Sequence, residues 1–175
     1  EVQIIFDPTV GDIMRGKGEG DLKIEFDMAG DLRMFGDLNI LGGEYLFTLE
    51  NVINKRFYIA SGGSIKWKGD PYNANIDLTT YYPIRTGIYS LINHIDPSEV
   101  YKQKVPVHLQ LLLKNNLMSP EISFNIDLPQ ADENTKNLVK NALISEQELN
   151  RQVFALLILN SFVPPDQIAF NTLSS

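Results

Sequence analysis

Apolar and polar residues alternate along most of the first 130 positions of the chain. In the stretch 63–82, GSIKWKGDPYNANIDLTTYY, Ile65 and Trp67 alternate with polar residues, a Gly-Asp-Pro turn follows, and the alternation resumes at Ala74. A period of two is typical of a β-strand that buries one face. This stretch therefore predicts a β-hairpin with one apolar and one polar face.

The same period predicts roughly eight to ten strands joined by short connections, which favour an antiparallel arrangement. The first strand is expected at 2–6, and a glycine-rich link is expected at 16–20. Tight turns are expected at 28–32 and at 41–44, where the sequences are MAGDL and LGGE. A loop is expected at about 83–100, with a short helix inside it.

The period changes from two to that of a helix after residue 130. Residues 131–144 suit a polar helix. Ser145 and Glu148, three positions apart, form a capping box at the start of a second, leucine-rich helix. That helix is expected to stop near Pro164, because proline cannot continue it.

These patterns predict a mostly β fold, an amphipathic antiparallel sheet followed by helices; the further expectation that this sheet is curved into a hydrophobic trough comes with the family resemblance given below. The expected boundaries are 1–130 for the curled amphipathic sheet, 131–165 for the helical segment and 166–175 for the start of a truncated continuation. The apolar face could be covered by closure into a barrel, by the helices, or by an apolar ligand in an open trough. A packed core is the plainer interpretation, and the trough is the alternative.

The residues expected to line the trough are large apolar side chains at the inward positions of the strands. Polar groups that could orient a small molecule are nearly absent there, so the lining favours contact with hydrocarbon over chemistry. Gly36 and Thr80 are the exceptions, and Gly36 also indicates a bulge or bend in its strand. The predicted lipid-contacting residues are Leu22, Ile24, Phe26, Leu32, Met34, Leu38, Ile40, Tyr45, Phe47, Phe57, Ile59, Ile65, Trp67, Ile76, Leu78, Val107, Leu109, Leu111, Phe124 and Ile126.

Composition narrows the possible functions. The formal net charge is −7 and no run of Lys or Arg occurs, which disfavours nucleic-acid binding and adsorption through a basic membrane patch. A chain without cysteine has no disulfide, no zinc-thiolate site and no thiol nucleophile. The longest dense apolar run, 153–163, is about half of the roughly 20 residues that a membrane-spanning helix needs.

No motif in the sequence supports catalysis or metal binding. GKGEGD at 16–21 lacks both the Lys-Ser or Lys-Thr of a phosphate-binding loop and the spacing of a dinucleotide fingerprint. The histidines His94 and His108 lack metal-ligand spacing, and Ser61 and Ser64 do not lie in a nucleophile elbow. We therefore expect a protein that is not an enzyme, with no catalytic residue, no metal and no cofactor.

Several of these segments resemble one family, the C-terminal domain of TamB, which belongs to the translocation and assembly module of Gram-negative bacteria. The resemblance is carried by GGSIKWKGDPYNANIDLTTYY at 62–82 and VPVHLQLLLKNNLMSPEISFNIDLP at 105–129. The segments GEYLFTLENVINKRFYIASGGSI and SEQELNRQVFALLILNSF fit it as well. It covers about residues 20–165, and Ala74 departs from it because many relatives have proline there.

The resemblance implies a curved sheet described as a β-taco, of the AsmA-like, bridge-like lipid transporter class. It implies a periplasmic location, with the full-length protein anchored in the inner membrane outside this fragment. The implied partners are phospholipid acyl chains and an Omp85-class outer-membrane barrel that is TamA-like. Nucleic acid is not among them.

The function expected from these observations is a non-catalytic conduit that passes phospholipids between the inner and outer membranes and supports outer-membrane biogenesis. The alternative is a protein-interaction or chaperone module whose sheet edge, at 2–6 or 165–173, pairs with the barrel partner or with a nascent outer-membrane protein. An enzyme is the third and weakest hypothesis, because no catalytic constellation is found.

Overall fold

The computed structural model describes residues 2–7, 12–49 and 53–166. The described residues form nine strands, two longer helices and two short ones. The strands are β1 (Val2–Asp7), β2 (Asp12–Glu19), β3 (Leu22–Phe26), β4 (Leu32–Leu49), β5 (Ile53–Ile59), β6 (Ser64–Gly69), β7 (Asn75–Thr86), β8 (Val105–Asn116) and β9 (Glu121–Asp127). The helices are α1 (Tyr89–Ile92), a 3₁₀ turn (Glu99–Lys102), α2 (Glu133–Ala142) and α3 (Glu146–Leu159).

The strands join in one sheet whose hydrogen-bonded order is β1-β2-β4-β5-β7-β8-β9. β3 also pairs with β4, and β6 pairs with both β4 and β7. The predicted fold class, a mostly β antiparallel sheet followed by C-terminal helices, is confirmed. The strand predicted at 2–6 is confirmed as β1.

Close contacts group the chain into two compact units. The first comprises the described residues up to Tyr82 together with Gln110–Ser123. The second comprises Pro83–Leu109 together with the described residues from Phe124 onward. The boundaries predicted from the sequence follow the change of secondary structure and stay a prediction.

The hairpin predicted at 63–82 is confirmed in the first unit. β6 pairs antiparallel with β7, and Ile65 lies opposite Ile76. The indole Nε1 of Trp67 donates a hydrogen bond of 3.1 Å to the carbonyl of Pro71 in the connecting turn. The side chains of Ile65, Trp67 and Ile76 are all buried, which explains why apolar and polar residues alternate strictly in this stretch.

The turn predicted at 41–44 is wrong, because β4 runs unbroken for 18 residues. The register of β2 on β4 passes from Gly42 directly to Ile40, so Leu41 is an extra residue in a β-bulge. Leu41 is 55% exposed, as expected of a bulged residue that is left out of the ladder. Two glycines beside a polar residue are typical of a turn, but here they accommodate the bulge.

The bulge also explains a change of parity along β4. Before it, the even positions Leu38 and Ile40 are buried, and after it the odd positions Tyr45 and Phe47 are buried. In a regular strand, residues five positions apart lie on opposite faces. The extra residue restores Ile40 and Tyr45 to the same face of the sheet.

The link predicted at 16–20 is also wrong, since residues 16–19 belong to β2. β2 and β3 run in the same direction along one edge of β4 and are separated only at Gly20 and Asp21. Gly36, on β4, has a φ of +126°, and a Cβ there would collide with the carbonyl oxygen of Asp21. The glycines in this region therefore permit close backbone approach between strands.

The loop predicted at 83–100 is shorter than expected, because β7 continues through Pro83 to Thr86. Pro83 is solvent-exposed, and proline is tolerated in a strand where no ladder donor is needed. The short helix expected in this region is confirmed as α1. Its residues Leu91 and Ile92 are fully buried and contribute to the core of the second unit.

Both C-terminal helices begin with side-chain caps. Asp132 accepts a 2.7 Å hydrogen bond from the Thr135 N–H at the start of α2, and this bond lowers the pKa of the Asp132 carboxyl. Ser145 caps α3 by accepting from the Glu148 N–H at 3.1 Å, which is half of the predicted capping box. α3 ends at Leu159, and the next residue, Asn160, caps it with a left-handed φ of 53°.

Candidate functional site on the apolar face of the sheet

Most of the predicted trough-lining residues are core residues of the described chain. Fourteen of the twenty are buried, three are partly buried and three are exposed. The buried ones are Leu38, Ile40, Tyr45, Phe47, Phe57, Ile59, Ile65, Trp67, Ile76, Leu78, Val107, Leu109, Leu111 and Ile126. Their contact with lipid is not tested by burial and stays a prediction, but in this conformation other protein atoms cover them.

Aromatic residues of β4, β5 and β7 pack against one another on the apolar face. The rings of Phe47 and Phe57 meet edge to face with centroids 5.6 Å apart, and Tyr82 lies 5.8 Å from Phe57 on the other side. The Lys55 ammonium lies 5.4 Å from the centre of the Tyr82 ring. Phe57 has no exposed surface at all, so this cluster has the arrangement of an ordinary aromatic core.

The apolar face becomes exposed towards the β3–β4 hairpin. Met34 is partly buried, whereas Leu32, Ile24 and Phe26 are 40%, 58% and 75% exposed. The register places Ile24 opposite Met34 and Phe26 opposite Leu32, so these side chains share one face of the two strands. We call Ile24, Phe26 and Leu32 the open apolar end. It belongs to the first unit only.

The partly buried residues lie between this end and the core. Leu22 faces Gly36 across β3 and β4, and Trp67 of β6 faces the same glycine from the other side. Leu22 and Met34 thus connect the exposed side chains to the buried row around Trp67. Phe124, the third partly buried residue, lies on β9 in the second unit.

A charged cleft adjoins the open apolar end. Its volume is about 620 Å³, and its walls include Leu32 with charged residues of both signs. Asp27 accepts hydrogen bonds of 2.9 Å from the N–H groups of Ala29 and Asp31, so its carboxylate closes the hairpin turn. The charged residues lining the cleft are Asp27, Asp31, Arg33, Lys68 and Asp70.

A second cleft, of about 360 Å³, lies in the second unit beside α2. Tyr101 lines it, and its hydroxyl donates to the Asp96 carboxylate at 3.2 Å. Burial first, and then this hydrogen bond, raise the pKa of Tyr101. A phenol that holds its proton more tightly than usual is poorly suited to acid–base chemistry near neutral pH.

Sequence reasoning missed a polar cluster on α3. Glu148 and Gln152 are buried, although Gln152 lies among the leucines of an apolar helix face. The Gln152 Nε2 donates to Glu148 at 2.7 Å and to the carbonyl of Val163 at 2.9 Å. The only signal in the sequence is the spacing of the two residues by one helical turn, which is common on solvated faces as well.

Thr80, noted in the sequence as a polar exception on the apolar face, is fully buried. Its hydroxyl donates to the carbonyl of Leu111 at 3.1 Å, so it serves the fold of the first unit and has no need of a ligand. Met14 of β2 is another core residue and is 3% exposed. It was not predicted as a core residue, because a glycine-rich link was expected shortly after it.

Two further searches bear on function. Among residues 2–7, 12–49 and 53–166, no group of three or more His, Cys, Asp or Glu side chains is arranged to hold a metal ion. None of the helices in the described part of the chain combines the length and the apolar character needed to cross a bilayer.

Comparison with known proteins gave one match, to a family model. No curated protein and no solved structure matched the chain. The sequence model of the TamB C-terminal domain family matches residues 1–174. This family is periplasmic, has no known catalytic activity, and implies a role in the translocation and assembly module with a TamA partner. Because the match covers almost every residue, the chain belongs to the TamB C-terminal domain family.

Proposed function

We propose that this chain is a non-catalytic periplasmic segment of a TamB-like protein that contacts phospholipid acyl chains as they pass between the inner and outer membranes. This role would support outer-membrane biogenesis. Membership of the family supports the proposal at the level of the module, and the exposed apolar side chains of the first unit support it at the level of residues.

The observation that carries the proposal is the open apolar end. Three large side chains on one face are 40–75% exposed, and they continue into a buried apolar row. Each large apolar side chain gains about 1.5–3 kcal/mol when it is fully buried. A hydrocarbon chain lying along Ile24, Phe26 and Leu32 would supply that burial without needing any polar anchor.

The order of contact follows from exposure. An acyl chain would first meet Ile24, Phe26 and Leu32, and then the partly buried Leu22 and Met34. The fourteen buried residues would take part only in a conformation that uncovers the apolar face of the sheet.

Site-specific photocrosslinking tests the proposal. A photoreactive amino acid would replace Phe26 in one protein and Tyr58 in a matched control. Tyr58 is 43% exposed and follows buried Phe57 on β5, so its side chain lies on the opposite face of its strand. We expect phospholipid adducts, identified by mass spectrometry, at position 26 and few at position 58. Equal adduct yields at both positions would contradict the proposal.

The second candidate function is protein interaction through a sheet edge. It is favoured by the position of β1, which is the terminal strand of the sheet order and has one strand neighbour among the described residues. A strand of an outer-membrane barrel or of a nascent outer-membrane protein could add to that edge. Of the other predicted edge, 165–173, the residues from 167 onward lie outside the described residues.

Crosslinkers placed in β1 distinguish the two functions. If adducts form with protein at residues 2–6 while position 26 gives no lipid adduct, the interaction module is favoured. If lipid adducts form at position 26, the lipid-contacting function is supported whether or not β1 also contacts a protein.

A further inference from the structure

Three turns at one end of the first-unit sheet each expose a large apolar side chain. They are the turn between β3 and β4, the turn between β6 and β7, and the turn between β8 and β9. Met28, in the first of these turns, is fully exposed, and Tyr72 and Met118, in the second and third, are 71% and 40% exposed. We call Met28, Tyr72 and Met118 the apolar rim.

Contacts within the first unit join the three turns. Leu32 of the open apolar end begins β4 just after the first turn, and it lines one cleft with Tyr72 of the second turn. The Asn116 Nδ2, beside the third turn, donates a hydrogen bond of 2.8 Å to the Asn73 Oδ1 of the second. The rim is therefore one surface, and it continues into the open apolar end.

Side chains within each turn already satisfy backbone groups there. The side chains of Asp27, Asp70 and Asn116 each accept a hydrogen bond of 2.9 Å from the backbone N–H two residues further on. In the second and third turns, that N–H belongs to the rim residue itself. Hydrocarbon offers no partner to a backbone donor, so a turn whose donors are bonded internally approaches it at a lower cost.

The turn at the opposite end of β6 provides a comparison. It comprises residues 60–63, with the sequence ASGG, and contains no large apolar residue. β6 runs from this turn to the second rim turn, so the two turns lie at opposite ends of one strand. Exposed apolar side chains are therefore a feature of the rim and not of every turn in this sheet.

A bilayer surface fits the rim better than a protein surface does. An aromatic side chain buries about 150–250 Å², so three separate side chains bury less than the roughly 800 Å² per partner of a stable protein interface. A fluid bilayer needs no surface of matching shape. Tyrosine, with an apolar ring and a polar tip, is also enriched where membranes meet water.

The charges near the rim indicate which kind of bilayer suits it. The cleft between the first and second turns is lined by three carboxylates and only two cations, Arg33 and Lys68. The formal net charge of the chain is −7. Attraction to anionic lipids depends on clustered Lys and Arg, so this surface suits a bilayer without net charge. Docking then depends on the insertion of apolar side chains.

We propose that the apolar rim docks onto the surface of an uncharged lipid bilayer and inserts its three side chains at the boundary between head groups and acyl chains. Docking brings the open apolar end next to a source of acyl chains. The inference goes beyond the proposed function, because the rim docks whether or not lipid then enters the open apolar end.

Fluorescent labelling tests the docked orientation, since the chain has no cysteine of its own. An environment-sensitive fluorophore would be attached to Met28→Cys, to Tyr72→Cys and to the control Ser61→Cys, which lies in the turn at the opposite end of β6. We expect phosphatidylcholine vesicles to shift the emission to shorter wavelengths at positions 28 and 72 and to leave position 61 unchanged. No shift at any position, or equal shifts at all three, would overturn the proposal. So would a shift at position 28 that follows protein concentration without vesicles, since a second copy would then cover the rim.

Charge variants measure the contribution of each side chain. We expect Met28→Asp and Tyr72→Asp each to lower the partition coefficient onto phosphatidylcholine vesicles, measured by cosedimentation, by about tenfold or more. Ser61→Asp, also at an exposed position, should leave it unchanged. Circular dichroism would check that each protein is folded. Equal binding by all the variants, or binding that salt abolishes, would contradict insertion of the rim.

Discussion

The buried side chains of α3 hold the segment that follows the helix. The Gln152 amide pairs with both backbone groups of Val163: its Nε2 donates to the carbonyl at 2.9 Å and its Oε1 accepts from the N–H at 3.1 Å. Arg151 donates to the Pro164 carbonyl at 2.7 Å, and Glu148 accepts from the Asp166 N–H at 3.3 Å. Because prolines lack an N–H, these side chains take the place of a backbone ladder.

Gln152→Leu should therefore destabilise the protein, even though leucine and glutamine are similar in size. The substitution leaves the buried Glu148 carboxylate without its 2.7 Å donor and Val163 without two partners. We expect a loss of roughly 2–4 kcal/mol in the free energy of unfolding, measured with urea. Gln147→Leu, at an exposed position of the same helix, is the control, and an equal loss in both variants would contradict this role.

The cap of α2 predicts a pH dependence. The hydrogen bond from Thr135 lowers the pKa of the Asp132 carboxyl, so the ionised form stabilises the folded state. This stabilisation is present above the unfolded pKa of about 3.9 and is lost as the pH falls through the lower folded pKa.

Asp132→Asn isolates the charge, because asparagine caps helices about as well as aspartate. The chain with Asp132 should be more stable than the variant at pH 7, and the difference should shrink below about pH 4. Unfolding curves of both proteins across this range measure it. A difference that does not change with pH would show that the charge has no part in the cap.

Residue-level features could be predicted from the sequence only where the cause is local. The cap formed by Ser145 was predictable, because donor and acceptor lie three residues apart. The role of the Glu148 side chain was not, because its partner Asp166 lies 18 residues further on and no periodicity connects them. Trp67 in the core followed from alternation, whereas the exposure of Phe26 did not.

The sequence predicted which segments are strands or helices better than it predicted the turns, bulges and links that connect them. Strict alternation identified the hairpin of β6 and β7 with its turn. The glycines at 41–44 and 16–20 led to a wrongly predicted turn and a wrongly predicted link. Glycine occurs in turns, in bulges and where strands approach closely, so its presence does not distinguish between them. Only the register of the neighbouring strand shows that Leu41 is an inserted residue in a continuous strand.

Deletion of single residues tests the bulge. Removing Leu41 should leave Ile40 and Tyr45 on the same face, because four positions then separate them. Removing Asn39 should instead turn Leu38 and Ile40 to opposite faces. We expect cooperative thermal unfolding to survive the first deletion and to be lost in the second. Equal damage from both deletions would mean that the bulge does not set the parity.

At the scale of the whole molecule, the sequence identified an apolar face but could not say what covers it. Coverage depends on contacts between residues far apart in the chain, such as Phe57 with Tyr82. The predicted lining residues therefore divide into fourteen core residues, three partly buried residues and the three exposed members of the open apolar end. In this conformation only that end offers exposed apolar surface to a lipid, so the trough hypothesis depends on it.

Arginine substitutions separate the two groups. Phe47 is 6% exposed and contacts Phe57, so Phe47→Arg buries a charge and should unfold the protein, at a cost of at least several kcal/mol. Phe26→Arg, at a position 75% exposed, should leave circular dichroism and the midpoint of unfolding nearly unchanged. If Phe47→Arg stays folded, the aromatic cluster is not the core that its burial indicates.

The central claim is that hydrocarbon covers the open apolar end. Its most direct measurement is the amount of phospholipid that remains bound to the protein after purification without detergent, determined by mass spectrometry for the unchanged chain, Phe26→Arg and the control Tyr58→Arg. The account predicts bound phospholipid in the unchanged chain and in the control, with a clear loss in Phe26→Arg. Absence of phospholipid from the unchanged chain, or the same amount in all three, would contradict it.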